Sequence, residues 1–527
     1  MVKGRVSAFL VGVDIGTMGI KAAVIDTEGR LIADAYDELK LYYPRTGWVE
    51  QYPEDFYRSA IKTIHQAMKK SGINPRDVAA IAFSGQMAGV STIDKNWMPV
   101  THYDSWLDIR CEPIVDQVRK KCEELVIRTV GAPPSIAHGP KILWWKKEKP
   151  KVFQKIHKFV MPAVYVAGRL AGLRGDEAYQ DHTYLHFSGF ADARRLKWSE
   201  ELCRIFDIPC DKFPRIAKPW EIVGELSSTQ AKECGLAKGT PIAAGAGDTA
   251  VSSLGAGIVE VGMAFDIAGT ASVLSTCVNK FVPDTKHRTM YLARSVIPDL
   301  WYPQAYLGGG GLCLRWFRDE IATEEKAVAL QQKRDAYHLL DAAAKRIPLG
   351  SDYLIFIPHL GGKVYPYDPK VRGCWFGFSW SHKKAHLYRS ILEAVAYEYG
   401  HYLRILKDLY PDVKFTEVRA VGGGARSDFW NQIKADVLGI PYARLNRSEF
   451  SVLGLAVIAG YSVGVFKDIK STVKSFVRPV RRIEPRSRHH RYYERYVQLY
   501  MKLSQTLQGC YAEMFDISTR KRPQYTG

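Results

Sequence analysis

Pro241-Ile-Ala-Ala-Gly-Ala-Gly-Asp248-Thr-Ala-Val-Ser-Ser-Leu-Gly-Ala-Gly257, near the middle of the 527-residue chain, decides how the rest is read. A small apolar run ends in Gly245 and Gly247 and presents one carboxylate, Asp248, where a helix-like run from Thr249 to Leu254 begins. That places the side chain at a strand-to-helix turn, where active sites of α/β proteins lie. Bare glycines keep bulk away from it and leave room for a substrate and a phosphate. The plainer reading is a glycine turn with Asp248 as the helix N-cap. A phosphate site elsewhere in the chain would separate the two.

Working outward, Ala8 to Val13 reads as a buried strand, Asp14-Ile-Gly-Thr17 as a turn and Ile20 to Ile25 as the returning strand, with a third strand from Leu31 to Ala35. The tip suits an anion: Gly16 lets backbone N–H groups point at it, Thr17 adds a hydroxyl, and Asp14 can hold a hydrated Mg²⁺. Alone, Asp-x-Gly-Thr is a common turn. The pattern recurs after Asp248, with a strand from Gly262 to Ile267, a tip Ala268-Gly-Thr-Ala-Ser272 and a strand from Val273 to Cys277. Two such hairpins half a chain apart imply two related domains whose tips converge on one ligand.

Between them, Tyr57, Ile61, Ile64 and Met68 trace a helix stopped by Gly72, and the strand Val78 to Phe83 enters Ser84-Gly-Gln-Met-Ala-Gly89. Trp106, Asp108 and Arg110 alternate with apolar neighbours, so an extended segment would put them on one face, as a sugar platform or as a structural salt bridge. Residues 141–235 read as mostly helical. Further on, Gly308-Gly-Gly-Gly311 opens a helix, Ile391 to Leu406 lie on a long one, and the strand Val418 to Val421 enters Gly422-Gly-Gly-Ala-Arg-Ser427. Strand, glycines and helix start form a general nucleotide-binding arrangement.

A hydrophobic content of 46% and a charged content of 24% are those of an ordinary globular protein, long enough for more than one core. Net charge is +19, but the one dense basic region, Lys470 to Arg491, accompanies no nucleic-acid module and reads as a solvated, partly helical tail. Nine cysteines without Cys-x-x-Cys or metal-type spacing point to a reduced, cytoplasmic setting. No run reaches the ~20 apolar residues of a membrane span. The single Gly-Lys pair, Gly362-Lys363, is followed by Val, which excludes a Walker A loop, and Gly422-x-Gly424 lacks the third glycine of a dinucleotide fingerprint.

The ordered set Asp14-Ile-Gly-Thr17, Gly85-Gln-Met87, Trp106-Leu-Asp-Ile-Arg110, Gly247-Asp-Thr249, Gly269-Thr270, Arg389-Ser-Ile-Leu-Glu-Ala394 and Gly422-Gly-Gly-Ala-Arg-Ser427 resembles the FGGY family of carbohydrate kinases. The resemblance runs from about residue 8 to 465, and the tyrosines near 492–500 resemble that family's closing helix. It implies an α/β fold of two ribonuclease-H-like (actin-like ATPase) domains with a cleft between them. The expected division is 1–258 for a sugar-binding domain, 259–470 for a nucleotide-binding domain and 471–527 for a basic, Tyr-rich helical tail.

Carried over by position, the resemblance implies Asp248 as general base, Gln86, Met87, Ala88, Asp108 and Thr249 on the sugar side, and Asp14, Gly16, Thr17, Gly269, Thr270, Gly311, Gly423, Gly424 and Ser427 toward ATP, with Mg²⁺ held by Asp14 through water. The expected ligands are ATP, Mg²⁺ and a small sugar or polyol, with no nucleic acid or membrane partner and with a homodimer allowed. Xylulose kinases commonly carry His at the position of Ala88, and glycerol kinases Arg-Glu at those of Met87 and Ala88, so the sequence leaves the substrate open. Lys363 stands where the family usually has Gly-x-Arg-x-Pro. The alternative on the same scaffold is a catalytically silent sugar- or nucleotide-binding regulator.

Overall fold

The computed structural model describes residues 8–519. The first domain is built on strands β1 (Phe9–Ile15), β2 (Gly19–Asp26), β3 (Leu31–Glu38), β4 (Val78–Gly85), β5 (Ile222–Glu225) and β6 (Pro241–Gly247), in the spatial order β5-β6-β4-β1-β2-β3. The second uses β7 (Met263–Ala268), β8 (Ser272–Thr276), β9 (Tyr291–Arg294), β10 (Trp301–Leu307), β11 (Glu417–Val421), β12 (Tyr442–Leu445) and β13 (Pro479–Ile483), ordered β9-β10-β8-β7-β11-β12-β13.

Apart from the extra edge strand β9, the two sheets share one topology. In each, an antiparallel hairpin (β1/β2, β7/β8) gains an antiparallel third strand, then two parallel neighbours (β4 and β6, β11 and β12), then an antiparallel edge. The hairpin repeat seen in the sequence is therefore a whole-domain repeat.

Sequence explains the central strands. In β1, Leu10, Val11, Val13 and Ile15 are fully buried on both faces, which demands an unbroken apolar run rather than alternation. Helix α1 (Pro53–Ser71) buries Phe56, Ala60, Ile64 and Ala67 at helical spacing against β2 and β3, and ends on Gly72 with φ 64°. Helix α2 (Asp248–Gly255) follows β6, α3 (Gly310–Trp316) follows β10, and α4 (Ala336–Ala344) packs against α5 (Lys384–Leu409). Helix α6 (Asp428–Leu438) joins β11 to β12.

Helix α7 (Phe450–Ser462) is apolar all round and lies on the first domain, against β1, β4, β6 and α2, although it follows β12 of the second. It crosses α2 at backbone contact: a Cβ on Gly454 would sit 2.2 Å from the Val251 carbonyl oxygen, and one on Gly255 would sit 1.9 Å from that of Phe450.

Two expectations change. Residues 141–235 alternate short helices with short strands such as Lys158–Val160, Tyr179–Asp181 and Arg215–Ala217, because the segment is broken by Pro162, Gly172, Gly175, Pro209, Pro214 and Pro219. The stretch beyond 470 is not a free tail. It supplies β13 to the second sheet, and α8 (Ser487–Thr506) buries Tyr493, Val497, Tyr500 and Leu503 in that domain's core before α9 (Gln508–Thr519) closes the described chain. Within the second core, Lys434 and Asp266 form an ion pair at 2.5 Å with both side chains fully buried, and the Tyr399 hydroxyl donates to the other Asp266 oxygen at 2.7 Å.

Candidate active site

Strands β1, β4 and β6 are parallel neighbours, so their carboxyl ends fall together, the usual ligand edge of an open α/β sheet. Asp14 stands opposite Ser84 in register, and the Ser84 hydroxyl donates to Asp14 Oδ1 at 2.7 Å. Gly247 stands opposite Gly85, and Asp248 follows as the first residue of α2. Asp248 is thus inside the helix rather than its cap: Gly247 holds the cap position, and the Asp248 carboxylate accepts the Thr249 N–H at 2.6 Å.

The strand end is shaped for this. Gly245 adopts φ 76°, where a Cβ would lie 1.7 Å from the Phe83 carbonyl oxygen, so only glycine lets β6 hug β4 before the turn. The Gly247 N–H donates to the Thr183 hydroxyl at 2.8 Å, and Thr183 in turn donates to the buried Asp181 carboxylate through its N–H at 2.9 Å and its hydroxyl at 2.5 Å. Burial pushes Asp181 up to about 7, against these hydrogen bonds. Burial also pushes Asp248 up to about 7, reinforced by the negative charge of Asp14 and opposed by Thr249. Part of Asp248 nevertheless remains open to solvent. A half-ionised carboxylate near neutral pH, beside a second carboxylate, suits proton acceptance.

The remaining first-domain residues form one hydrogen-bonded cluster. The Thr17 hydroxyl accepts from the Trp106 indole at 2.8 Å and donates to Gln86 Oε1 at 3.1 Å, Gln86 Nε2 donates to Gln51 at 2.9 Å, and Gln51 returns to the Thr17 carbonyl at 3.0 Å. The Gly16 N–H donates to the Gly19 carbonyl at 3.0 Å, closing the tip. The Met87 thioether packs on Gly247, and Ala88 takes a left-handed φ of 61°.

Asp108 is placed differently from the extended platform. Residues 105–110 form turns, so Trp106 points to Thr17 while Asp108 turns inward. Its carboxylate accepts from the Val49 N–H at 2.6 Å, the Arg110 N–H at 2.9 Å and the Arg110 guanidinium at 2.9 and 2.7 Å. The guanidinium lies 3.7 Å from the Trp48 ring centre. Of the two readings offered by the sequence, the geometry here is that of the structural salt bridge. On β2, Lys21 pairs with Asp34 and Glu449.

In the second domain a cavity of about 590 Å³ gathers Gly269, Thr270, Gly311, Gly423, Gly424 and Ser427 from three separate segments. Gly424 lies against the Trp430 ring, where a Cβ would come within 2.4 Å, and Gly311 lies against Gly269, where a Cβ would come within 2.0 Å of its carbonyl oxygen. Ser427 caps α6 by accepting the Trp430 N–H at 3.0 Å and donates to Asp341 at 2.6 Å, while Asp341 also accepts from Tyr388 at 3.0 Å. Asp341, Tyr388, Tyr337 and His338 carry no glycine motif and went unnoticed in the sequence; α4 and α5 bring them in. Lys363 lines another cavity, beside the buried Glu398.

No cluster of three or more His, Cys, Asp or Glu side chains able to hold a metal occurs among the described residues. A Mg²⁺ ion held by Asp14 through water would take most of its ligands from water and phosphate.

The N-terminal-domain model of the FGGY family of carbohydrate kinases matches residues 9–255, and its C-terminal-domain model matches 267–463. The chain is 27% identical over 517 residues to a xylulose kinase of Staphylococcus epidermidis, covering 97% of this chain and 100% of that one. It is 28% identical over 514 residues to the gluconokinase of Bacillus subtilis, covering 97% and 98%. The crystal structure of a gluconate kinase from Lactobacillus acidophilus superposes with a TM-score of 0.87 at 23% identity, covering 96% of this chain and 100% of that one.

Proposed function

The chain belongs to the FGGY family of carbohydrate kinases, and from that premise we propose that it transfers the γ-phosphoryl group of ATP to a hydroxyl of a small ketose, polyol or sugar acid, with Asp248 as general base. The observation that carries this reading is the convergence of Asp248 and Asp14 on one sheet edge, in a chain whose second domain gathers six expected ATP residues around one cavity.

In the proposed step the substrate hydroxyl gives its proton to Asp248 as its oxygen bonds to the γ-phosphorus, and the bond to the ADP oxygen breaks. Phosphoryl transfer asks the protein for in-line positioning and charge neutralisation, and little covalent chemistry. Asp248, at about 7, is ionised often enough to accept and basic enough to hold the proton. The Thr183 hydroxyl holds the turn that aims it. Mg²⁺, when bound, neutralises phosphate charge, and Asp14 is the residue that would hold it through water. Gly423, Gly424 and Ser427 would receive the adenosine and Gly269, Thr270 and Gly311 the phosphates. Gln86, Met87, Ala88 and Thr249 would border the sugar, while the Asp108 carboxylate is engaged by Arg110 and the Val49 N–H.

Relatives named for xylulose and for gluconate match equally well, so the acceptor class is the open term. At position 88 a methyl group replaces any hydrogen-bonding side chain, which favours an acceptor read by shape on that side. The test is ADP release from ATP over pentuloses, hexuloses, polyols and sugar acids. At least one compound should stimulate turnover, and Asp248→Asn should lose about 10²- to 10⁴-fold while still binding nucleotide. Stimulation that survives in Asp248→Asn would remove the base from Asp248.

A further inference from the structure

The short ribbon of Lys363–Val364 and Tyr367–Asp368 forms one wall of a cavity of about 390 Å³ in the second domain. The other walls come from α5, from the end of α8 and from the loop before β9. This cavity shares no lining residue with the one that gathers Gly424 and Ser427, and neither Asp14 nor Asp248 borders it. Its volume lies within the roughly 300–1,000 Å³ of small-molecule sites.

Glu398, on α5, lines the cavity and is 1% exposed. Its Oε1 accepts from the His359 ring at 3.0 Å and from the Tyr500 hydroxyl at 2.5 Å. The other carboxylate oxygen, Oε2, is buried without a hydrogen-bond partner among the described residues, and so is Nδ1 of His401, one turn further along α5 on the same face. Lys363, which forms no ion pair among the described residues, lines the same cavity. Burial opposes a charge on Glu398, yet Lys363, with His359 and His401, holds its carboxyl well below the usual carboxylate range. An ionised carboxylate with a bare buried oxygen is costly unless a donor reaches it.

We infer that this cavity binds a small neutral polyol or sugar, at a site apart from that of phosphoryl transfer. A cationic ligand would meet Lys363, and an anionic one would meet Glu398 and Asp368. A neutral ligand with several hydroxyls uses both signs at once, donating to Glu398 Oε2 and accepting from Lys363, because each hydroxyl is donor and acceptor together. The apolar side chains of Ile405, Met501 and Pro366 offer surface for its C–H faces. The occupant also bears on the contact between domains. The ribbon that walls the cavity carries Tyr365, whose hydroxyl donates to Ser135 at 2.8 Å, and Tyr367, whose hydroxyl donates to Glu112, both acceptors lying in the first domain. A ligand held by Lys363 and Glu398 therefore steadies the ribbon that ties the two domains together.

The test is a calorimetric titration of the full chain with xylitol, ribitol, sorbitol, D-xylose and D-glucose, for wild type, Ser504→Phe and Lys363→Met. Ser504 lines the cavity from α8, so phenylalanine there fills it, while Lys363→Met keeps the volume and removes the cation. Circular dichroism and the thermal midpoint confirm that each variant is folded. At least one of the five should bind wild type at millimolar concentration or below and lose at least about tenfold in affinity in both variants. The amino and acid counterparts of the best binder (for sorbitol, glucamine and gluconate) should bind through this cavity more weakly than the neutral compound. Amide exchange across 363–368, followed by mass spectrometry, should slow when the binder is added. If none of the five binds, ordered water alone satisfies Glu398 and the inference falls. Binding that survives in both variants, charged counterparts that bind as tightly, or unchanged exchange in the ribbon overturn it as well. Turnover is not the readout, so failure here leaves the kinase reading untouched.

Discussion

Acidifying the enzyme from pH 8 to pH 6 discharges Asp248, and the structure gives the size of the effect. Burial, with the Asp14 charge added, raises this carboxyl from 3.8 to about 7. A single group at that value is roughly nine-tenths ionised at pH 8 and one-tenth at pH 6. As the base, it makes kcat/KM fall about tenfold per pH unit below about 7. Asp14→Asn removes the repelling neighbour, so the residual activity of that variant should show its acid limb displaced to lower pH.

The same shift sets a stability term. A carboxyl whose folded value exceeds its unfolded value of ~3.9 binds its proton more tightly when folded, so ionisation costs stability. The cost is absent below about pH 4, grows as pH rises to about 7 and is complete above it. The interval corresponds to on the order of 4 kcal/mol, an upper bound because part of Asp248 meets solvent. Asp248→Asn escapes this term, so its thermal midpoint should exceed that of wild type at pH 8 and equal it at pH 4. Initial-rate pH profiles and scanning calorimetry across that range check both statements. An acid limb below pH 5, together with no gain in midpoint at pH 8, would refute the argument that this carboxylate is held desolvated against Asp14.

Gly424→Val would drive a side chain into the buried Trp430 and across the 590 Å³ cavity, so the thermal midpoint should fall, as overpacking costs about 1–3 kcal/mol, and the ATP affinity of the folded protein, measured by calorimetry, should fall at least tenfold; unchanged affinity would place the nucleotide elsewhere. Thr183→Val strands the Gly247 N–H, which costs about 1–3 kcal/mol, removes one of the two hydrogen bonds that residue 183 gives the Asp181 carboxylate, and should lower kcat more than it raises the KM for ATP. Lys434→Met leaves Asp266 buried without its cation and should destabilise the fold by about 3–5 kcal/mol, read as loss of soluble protein or a large drop in midpoint.

Much of the scaffold was legible because it rests on local signals. The two glycine-tipped hairpins, the strand before Gly422 and the helix of Ile391 to Leu406 announce themselves by apolar runs, turn residues and helical period. The cavity glycines were legible for the same reason. What the sequence hid depends on partners distant in the chain. Asp108 stood open between a sugar platform and a structural salt bridge until Val49 and Arg110 closed on it, and the Thr183 hydroxyl could be matched to Gly247 only by a fold that brings them together from 64 residues apart. Asp341 lacks any motif and gains meaning only from Ser427 and Tyr388. The stretch after 470 read as solvated because its charge is high. Yet β13 is an edge strand, where Arg481 and Arg482 stay exposed and only Ile483 is buried, so charge and sheet membership coexist.

The placement of α7 bears on how the polypeptide matures during synthesis. Translation delivers β1 within the first 15 residues, yet the helix that roofs it is encoded at 450–462, after nearly all of the second domain. A nascent first half emerging from the ribosome therefore presents a bare apolar sheet for the time needed to make some two hundred further residues, about 10–40 s at ordinary elongation rates. Holdase chaperones should accordingly engage stalled chains ending before residue 450 and release those extended past 462 and clear of the exit tunnel.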